Sequence, residues 1–184
     1  MELWFFIGAA VFISLVVVVM YNRLVIKRNR FQNAWAEIDV QLKRRHDLIP
    51  NLVNAVKGYM QHERGVIEDV IRARTQAIAA GNDVVSRATT ENALTRSLRS
   101  FFAVSEAYPA LKASENMLAL QEELSSTENK VAFARQFYND SVMEYNTARE
   151  TFPTNLFANV FGFSKATLFF MEDTADKELP KADF

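Results

Sequence analysis

Residues 3–20 read LWFFIGAAVFISLVVVVM, an uncharged apolar run that decides how the rest of the chain is presented. As a helix rising about 1.5 Å per residue, the run spans roughly 27 Å, which matches the hydrocarbon core of a bilayer. Trp4 and Tyr21 bracket it, where amphipathic rings favour the headgroup level. The run therefore predicts one membrane-spanning helix, Leu3–Met20, with an aromatic residue at each interface.

A cleaved signal peptide is the alternative interpretation of such a run. Signal peptides begin with basic residues and end in a cleavage site made of small residues. Here the acidic Glu2 precedes the run, and the run ends at the bulky residues Met20 and Tyr21. This mismatch favours a retained anchor, and we assign residues 1–22 to it.

The charges that flank the span are one-sided. Arg23, Lys27, Arg28 and Arg30 follow it, and no Lys or Arg precedes it. Because basic flanks stay on the cytoplasmic side, the pattern predicts a single-pass protein with an outward N-terminus and a cytoplasmic domain. The four basic residues are also candidates for contact with anionic lipid headgroups at the membrane interface.

An apolar stripe follows the anchor at alternating steps of four and three residues. It consists of Phe31, Trp35, Ile38, Leu42, Arg45, Ile49, Leu52, Val56, Tyr59, Glu63, Val66, Val70, Ala73 and Ala77. A seven-residue repeat of this kind places one stripe on a helix of a bundle or coiled coil. It predicts one long helix that ends near Gly81. Since the register runs through Pro50, we predict a bent but continuous helix there, with a break at Asp47–Pro50 as the alternative.

Two further helices are predicted from the same kind of pattern. The second follows Thr89 and Thr90, a pair that could cap its N-terminus, and Pro109 ends it. The third begins near Ser114 and ends before the Phe152–Pro153 pair. The apolar positions are Leu94, Leu98, Phe101 and Phe102 in the second helix and Met117, Leu124, Val131, Tyr138, Val142 and Tyr145 in the third. Three striped helices with short connections are typical of an antiparallel bundle.

The residues after Pro153 are too apolar for a solvated tail. They include Leu156, Phe157, Val160, Phe161, Phe163, Leu168, Phe169 and Phe170. A short fourth helix that closes the bundle is our first interpretation, and an oligomer interface or a segment on the membrane are the alternatives. The predicted fold is thus all-α: a transmembrane helix, then a bundle of three long helices and a short C-terminal helix over residues 23–171. The acidic residues 172–184 are predicted to be disordered.

Four charges lie within the apolar stripes, namely Arg45, Glu63, Glu128 and Arg135. If the first and third helices run in the same direction, Arg135 comes close to Glu63. We therefore predict an interhelical Glu63–Arg135 pair, because an unpaired buried ion is strongly unfavourable, with Arg45 and Glu128 left to other partners or the rim. The alternative is that all four charges reach water from the stripe edges.

The sequence contains no pattern that indicates a catalytic, metal-binding or cofactor-binding site. It contains no cysteine, and His46 and His62 are too far apart on one helix to share a metal ion. Its glycines form no phosphate-binding loop, and no nucleophile, base and acid stand at a recognisable spacing. A net charge of -1 argues against a nucleic-acid partner. We predict no catalytic residue, no metal ligand and no cofactor, and hence no enzyme.

Three stretches of the domain carry longer motifs. Asn29–Glu63 reads NRFQNAWAEIDVQLKRRHDLIPNLVNAVKGYMQHE, residues 108–130 read YPALKASENMLALQEELSSTENK, and residues 138–146 read YNDSVMEYN. Together they strongly resemble the LemA family of bacterial membrane proteins, over about Tyr21 to Phe163. The resemblance implies an N-terminal anchor in the bacterial inner membrane, a cytoplasmic helical bundle, and no established catalytic activity.

From these features we predict a non-enzymatic, membrane-anchored helical scaffold that self-assembles and has a role in envelope or membrane organisation. The alternative, which rests on the family resemblance, is a regulatory adaptor of a partner membrane protein such as a protease. The expected partners are the lipid bilayer and further copies of the chain and, for an adaptor, one foreign membrane protein.

Overall fold

The computed structural model of the chain describes residues 1–170, in which all regular secondary structure is helical. The helices are α1 (Glu2–Val56), α2 (Arg64–Ala79), α3 (Val84–Ser105), α4 (Pro109–Lys112), α5 (Glu115–Glu150) and α6 (Asn155–Ala158). The prediction of an all-α fold with a long apolar N-terminal helix and a short C-terminal helix is confirmed. The predicted acidic tail, residues 172–184, lies outside the described residues.

The chain forms two compact units, each of which contains part of α1 and part of α5. Unit 1 consists of Met1–Leu42 and Asn129–Leu168, and unit 2 consists of Lys43–Glu128 with Phe169 and Phe170. The predicted division into anchor (1–22), bundle (23–171) and tail describes where each part lies relative to the membrane. The two compact units do not test it, so it stays a prediction.

In unit 1, α1 and α5 pack antiparallel through aromatic rings. The ring centroids of Trp35 and Tyr138 are 5.3 Å apart, and those of Phe31 and Tyr145 are 5.0 Å apart. A step toward the N-terminus of α1 therefore matches a step toward the C-terminus of α5. This arrangement brings the C-terminal end of α5 toward the apolar segment of α1.

After α5 the chain turns and comes back along it. Residues 163–168 have no regular secondary structure, so their backbone groups need other partners. Side chains of α5 supply them: the Asn146 amide group donates to the Ala166 carbonyl at 2.9 Å and accepts from the Ala166 N–H at 3.0 Å. The Tyr145 hydroxyl donates to the Ser164 carbonyl at 2.8 Å. The returning segment is thus held by α5.

Unit 2 is an up-down-up-down bundle of the end of α1, α2, α3 and the start of α5. Arg74 on α2 donates to the His46 carbonyl on α1 at 2.7 Å, and Arg44 on α1 pairs with Glu123 on α5 at 2.7 Å. The core is largely aliphatic, and its best-buried members are Ile49, Leu52, Val56, Met60, Val70, Leu94 and Phe101. Four helices therefore enclose one apolar core.

The predicted first helix is partly right. α1 runs through Pro50 without interruption, so the predicted continuity at this proline is confirmed. Its predicted extension to Gly81 is wrong, because a turn over residues 57–63 separates α1 from α2. Met60 is fully buried in this turn, whereas Tyr59, the expected stripe position, is 47% exposed. The apolar repeat continues on α2 because α2 folds back onto the same core, so the repeat does not reveal the reversal.

The second predicted helix begins earlier than expected. Asp83 caps α3, and its carboxylate accepts a hydrogen bond from the Ser86 N–H at 2.7 Å. Gly81, with a φ of 65°, closes the turn before it. The predicted cap at Thr89 or Thr90 is wrong, because both hydroxyls lie inside α3 and donate to carbonyls one turn back.

The extra reversal changes the direction of the last long helix. Within each unit α5 runs antiparallel to α1. The Glu63–Arg135 pair was predicted from parallel helices, so that prediction is wrong. Glu63 accepts a hydrogen bond from the Tyr108 hydroxyl at 3.2 Å instead. Glu128 lies on the surface, 3.9 Å from Arg99, which agrees with its predicted place at the rim.

Candidate functional site at the membrane interface

Among residues 1–170, α1 alone holds a segment that is long and apolar enough to cross a membrane. None of this segment is buried inside the structure. Its hydroxyl group, Ser14 Oγ, donates to the Ala10 carbonyl at 2.8 Å, so the helix itself satisfies it. The segment thus presents an apolar surface with its polar groups paired internally, as a lipid environment requires.

The two predicted interface aromatics have different surroundings. Trp4, in the first turn of α1, is 76% exposed. Tyr21, one residue beyond the predicted span, packs edge-on against Phe161 and Phe163, with 5.4 Å between ring centroids in each case. The end of the apolar segment therefore lies beside the turn that follows α5.

Two of the predicted basic residues pair with one carboxylate on α5. Lys27 Nζ lies 3.2 Å and Arg30 Nη1 lies 3.0 Å from the same oxygen of Glu144. The hydrogen bond from Lys27 and the positive charges of Lys27 and Arg30 hold the pKa of Glu144 below its usual value. These cations thus join α1 to α5 as well as following the apolar segment.

The other two predicted basic residues differ in exposure. The Arg28 guanidinium lies 5.1 Å from the centroid of the Phe163 ring, which is within cation–π range. Arg23 is exposed and lines an open groove of about 720 Å³. The groove extends from Met20 at the end of the apolar segment to Phe152 beyond α5. Its lining therefore combines an apolar end with the basic residues Arg23 and Lys27 and the acidic residues Asp140 and Glu144.

A second cluster of polar side chains is buried in unit 2. His46 Nε2 and a Glu91 carboxylate oxygen form a hydrogen bond of 2.7 Å, and the other Glu91 oxygen lies 3.8 Å from the Arg45 guanidinium. Arg45 also donates to the Thr95 hydroxyl at 2.9 Å. Burial lowers the pKa of Arg45, while the negative charge of Glu91 opposes that shift. The cluster connects α1 to α3 inside an otherwise apolar core.

The sequence does not predict this cluster. His46 enters the predictions only as a residue too far from His62 to share a metal ion with it, and Arg45 is predicted to have another partner or to reach the rim. The available signal was Arg45 itself, a charge within the apolar stripe. Its partners Glu91 and Thr95 lie far along the chain, on a helix whose position relative to α1 the pattern does not specify.

The sequence predicts no metal site, because a metal ion needs several ligand side chains close together. Within residues 1–170, no group of three or more His, Cys, Asp or Glu side chains is arranged to hold a metal ion. His46 is engaged with Glu91 in unit 2. His62 is exposed in the turn between α1 and α2.

The sequence model of the LemA family matches residues 34–184. The chain belongs to the LemA family. The match begins beyond Trp4, Tyr21 and the four basic residues, so it covers the buried cluster of unit 2 but not the membrane-interface residues. It continues to the C-terminus, farther than the position near Phe163 where the predicted resemblance ended.

Relatives of this LemA-family chain include a protein LemA and two magnetosome proteins. Protein LemA of Metamycoplasma hominis is 24% identical over 148 residues, which cover 80% of this chain and 68% of that protein. Magnetosome proteins MamQ 2 and MamQ 1 of Paramagnetospirillum magneticum are each 22% identical over 174 residues, or 81% of this chain and 64% of theirs. The chain thus spans about two thirds of the length of these relatives, and neither designation denotes an enzyme.

Proposed function

We propose that this LemA-family chain is a non-enzymatic scaffold that is anchored in the membrane by α1, self-assembles beside it, and serves to organise it. The relationship to protein LemA and to magnetosome proteins supports a membrane-associated role. The apolar segment continues without a loop into the helix on which both units are built, which supports a domain held at the membrane surface.

An exposed apolar face on unit 1 is the observation that carries self-assembly. Phe133 and Phe137 are one helical turn apart on α5 and are 73% and 46% exposed. Side chains at this spacing share one face of a helix. Val40 on α1 is also exposed, and by the antiparallel register it lies near the level of Phe133. Exposed apolar patches of this kind mark interaction sites.

These rings lie too far from the apolar segment to be covered by the same bilayer. Trp35 packs against Tyr138, the neighbour of Phe137, so this level of unit 1 lies about 15 residues beyond Met20. That separation corresponds to roughly 22 Å along a helix. Lipid therefore does not account for the exposed face, and we assign it to contact with a second copy of the chain.

Size-exclusion chromatography with light scattering on the full-length protein in detergent tests this assignment. We expect an oligomer, and we expect the double change Phe133→Asn and Phe137→Asn to increase the monomer fraction. Phe170→Asn is the matched control, because Phe170 is a phenylalanine of similar exposure, 69%, that belongs to unit 2. A strictly monomeric wild-type protein would refute self-assembly. Stoichiometric recovery of one foreign membrane protein after mild crosslinking would support the adaptor alternative.

We also propose that the N-terminus faces outward and the domain faces the cytoplasm, across the inner membrane. The support is the set of basic residues that follows the span, with none before it. The cysteine-free chain allows Glu2→Cys and Ser100→Cys to be labelled singly on intact cells with a membrane-impermeant thiol reagent. We expect labelling at position 2 alone, and labelling at position 100 alone would reverse the orientation.

A further inference from the structure

We propose that the turn after α5, residues 151–162, is a second membrane contact that dips into the leaflet from which α1 leaves the bilayer. We call this turn the tip. The proposal rests on the anchoring role of α1 in the proposed function, and it adds a lipid-binding surface that is separate from the span.

The tip has an apolar outer side and a packed inner side. Phe152, Leu156 and Val160 are 73%, 59% and 79% exposed. Ala158, in the same short helix as Leu156, is buried in a cluster that includes Leu24 of α1. The outward side chains are therefore held away from the protein while the backbone between them is anchored to it.

Contacts with α1 place the tip at the end of the span. Phe161 in the tip packs against Tyr21, which directly follows Met20, the last residue of the apolar run. Leu24, one turn farther along α1, is buried with Ala158 and Phe163. The tip therefore lies at the level where α1 passes from hydrocarbon to headgroups, the level that aromatic side chains favour.

Hydrogen bonds hold the tip in this conformation. Arg149, in the last turn of α5, donates from Nε to the Phe163 carbonyl at 2.8 Å and from Nη2 to the Asn159 side-chain oxygen at 2.7 Å. Gly162 has a φ of 73°, a conformation that glycine adopts at no steric cost. A turn fixed in this way cannot easily withdraw its apolar side chains from water, so a lipid surface would stabilise them.

The surroundings of the tip favour lipid over a second copy as the occupant. The apolar tip is continuous with the apolar segment of α1 through the Tyr21–Phe161 contact. Arg23 is exposed just beyond Tyr21, and Arg28 lies over Phe163. An apolar surface with a basic border is the pattern that binds the boundary between acyl chains and anionic headgroups.

Nitroxide labels on single cysteines test the proposal in the full-length chain, which has no cysteine of its own. The labels are placed at Val160→Cys in the tip, Ile13→Cys in the span, and Ser100→Cys on the exposed surface of α3, in unit 2 rather than on the unit 1 face assigned to a second copy. The protein is reconstituted into vesicles of phosphatidylethanolamine and phosphatidylglycerol. Power saturation then compares collisions with oxygen, which concentrates in lipid, and with a water-soluble nickel chelate.

We expect the oxygen-to-nickel collision ratio at position 160 to be several-fold higher than at position 100 and lower than at position 13. If position 13 reports lipid but position 160 resembles position 100, the tip proposal is wrong and the anchor stands. If position 13 itself reports water, the anchor and the tip are both refuted. Shielding of position 160 from both reagents would show burial against protein and would also overturn the proposal. Leu156→Cys repeats the measurement at a second tip position, with circular dichroism to verify that both variants are folded.

Discussion

Units 1 and 2 are both built on α1 and α5, but they are stabilised differently. In unit 2, four helices surround an apolar core, and the charges within it, Arg45 and Glu91, are 3% and 2% exposed and face each other. In unit 1, two long helices meet through aromatic rings, and a returning segment covers part of α5, with the Tyr138 hydroxyl donating to the Thr167 carbonyl at 2.8 Å.

The difference follows from how much surface each arrangement can cover. Two helices and an extended segment cannot enclose all the apolar side chains that they carry, so unit 1 leaves Phe133, Phe137 and the tip exposed. Unit 2 encloses a larger apolar core with its own helices and buries polar groups within it, although Ile78, Val85 and Leu118 stay exposed. We infer that unit 2 supplies most of the stability, and the exposed faces of unit 1 are those that we propose to meet lipid and other copies.

The largest effect is expected in the buried cluster of unit 2. Glu91→Gln removes the negative charge that faces Arg45, and breaking a buried pair in this way costs about 3–5 kcal/mol. The matched control is Glu123→Gln, which removes the exposed partner of Arg44 and should cost at most about 1 kcal/mol. Denaturant unfolding followed by circular dichroism measures both, and equal losses would contradict the distinction between buried and exposed pairs.

The helix α1, which contains both the apolar segment and part of unit 2, carries a proline whose replacement should be neutral or stabilising. Pro50 is exposed inside α1, and Pro50→Ala restores a backbone donor where an interior proline costs about 3 kcal/mol. Asn51→Ala on the same turn is the control, with an expected gain below about 0.7 kcal/mol from helix propensity. A clear loss of stability on Pro50→Ala would show that the packing of unit 2 requires the proline.

A smaller effect is expected in unit 1 from the hydrogen bonds that hold the returning segment. Tyr145→Phe leaves the aromatic packing in place and removes the bond to the Ser164 carbonyl, which should lower the free energy of unfolding by about 0.5–1.5 kcal/mol. Tyr59→Phe, at an exposed position of unit 2, should have little effect. If Tyr145→Phe and Tyr59→Phe lowered the free energy of unfolding equally, the returning segment would not depend on this hydrogen bond.

The same tyrosines predict a loss of stability in alkali. Burial raises the pKa of Tyr138 and of Tyr145 above the ordinary tyrosine value. Because the folded-state pKa exceeds the unfolded one, their contribution is complete below about pH 10 and is lost as the pH rises above that value. The double variant Tyr138→Phe and Tyr145→Phe should therefore show a flatter decline in unfolding midpoint between neutral and alkaline pH than the wild type.

The smallest effect is expected for the exposed ion pairs of unit 1. Lys27 and Arg30 lower the pKa of Glu144, so its contribution is present at neutral pH and is lost as the pH falls through the folded-state value. Glu144→Gln should change stability little at neutral pH and should remove this part of the acid dependence. Unfolding midpoints measured from neutral to acidic pH test the sign, and an unchanged acid response would contradict it.

Several local features of the fold could be predicted because the information is local. The apolar run of α1, the continuity through Pro50 and the end of α5 before Phe152–Pro153 all follow from residues close together in the chain. The interface residues at Tyr21 and Arg23 were likewise chosen from their distance to the run. That Tyr21 contacts Phe161 could not be predicted, because it depends on how α5 returns toward α1.

The sequence by itself determined the helical periods, the apolar segment with its one-sided charges, and the membership in the LemA family. Only the tertiary structure decided where the first stripe reverses, that α5 runs antiparallel to α1, and that Arg45 and His46 meet Glu91. The physical reason is that a seven-residue repeat specifies which side chains share a helix face and nothing about the direction of the next helix. A turn such as residues 57–63 reverses the chain without changing the apolar repeat. The partners of the buried charges are therefore determined only by how the helices pack.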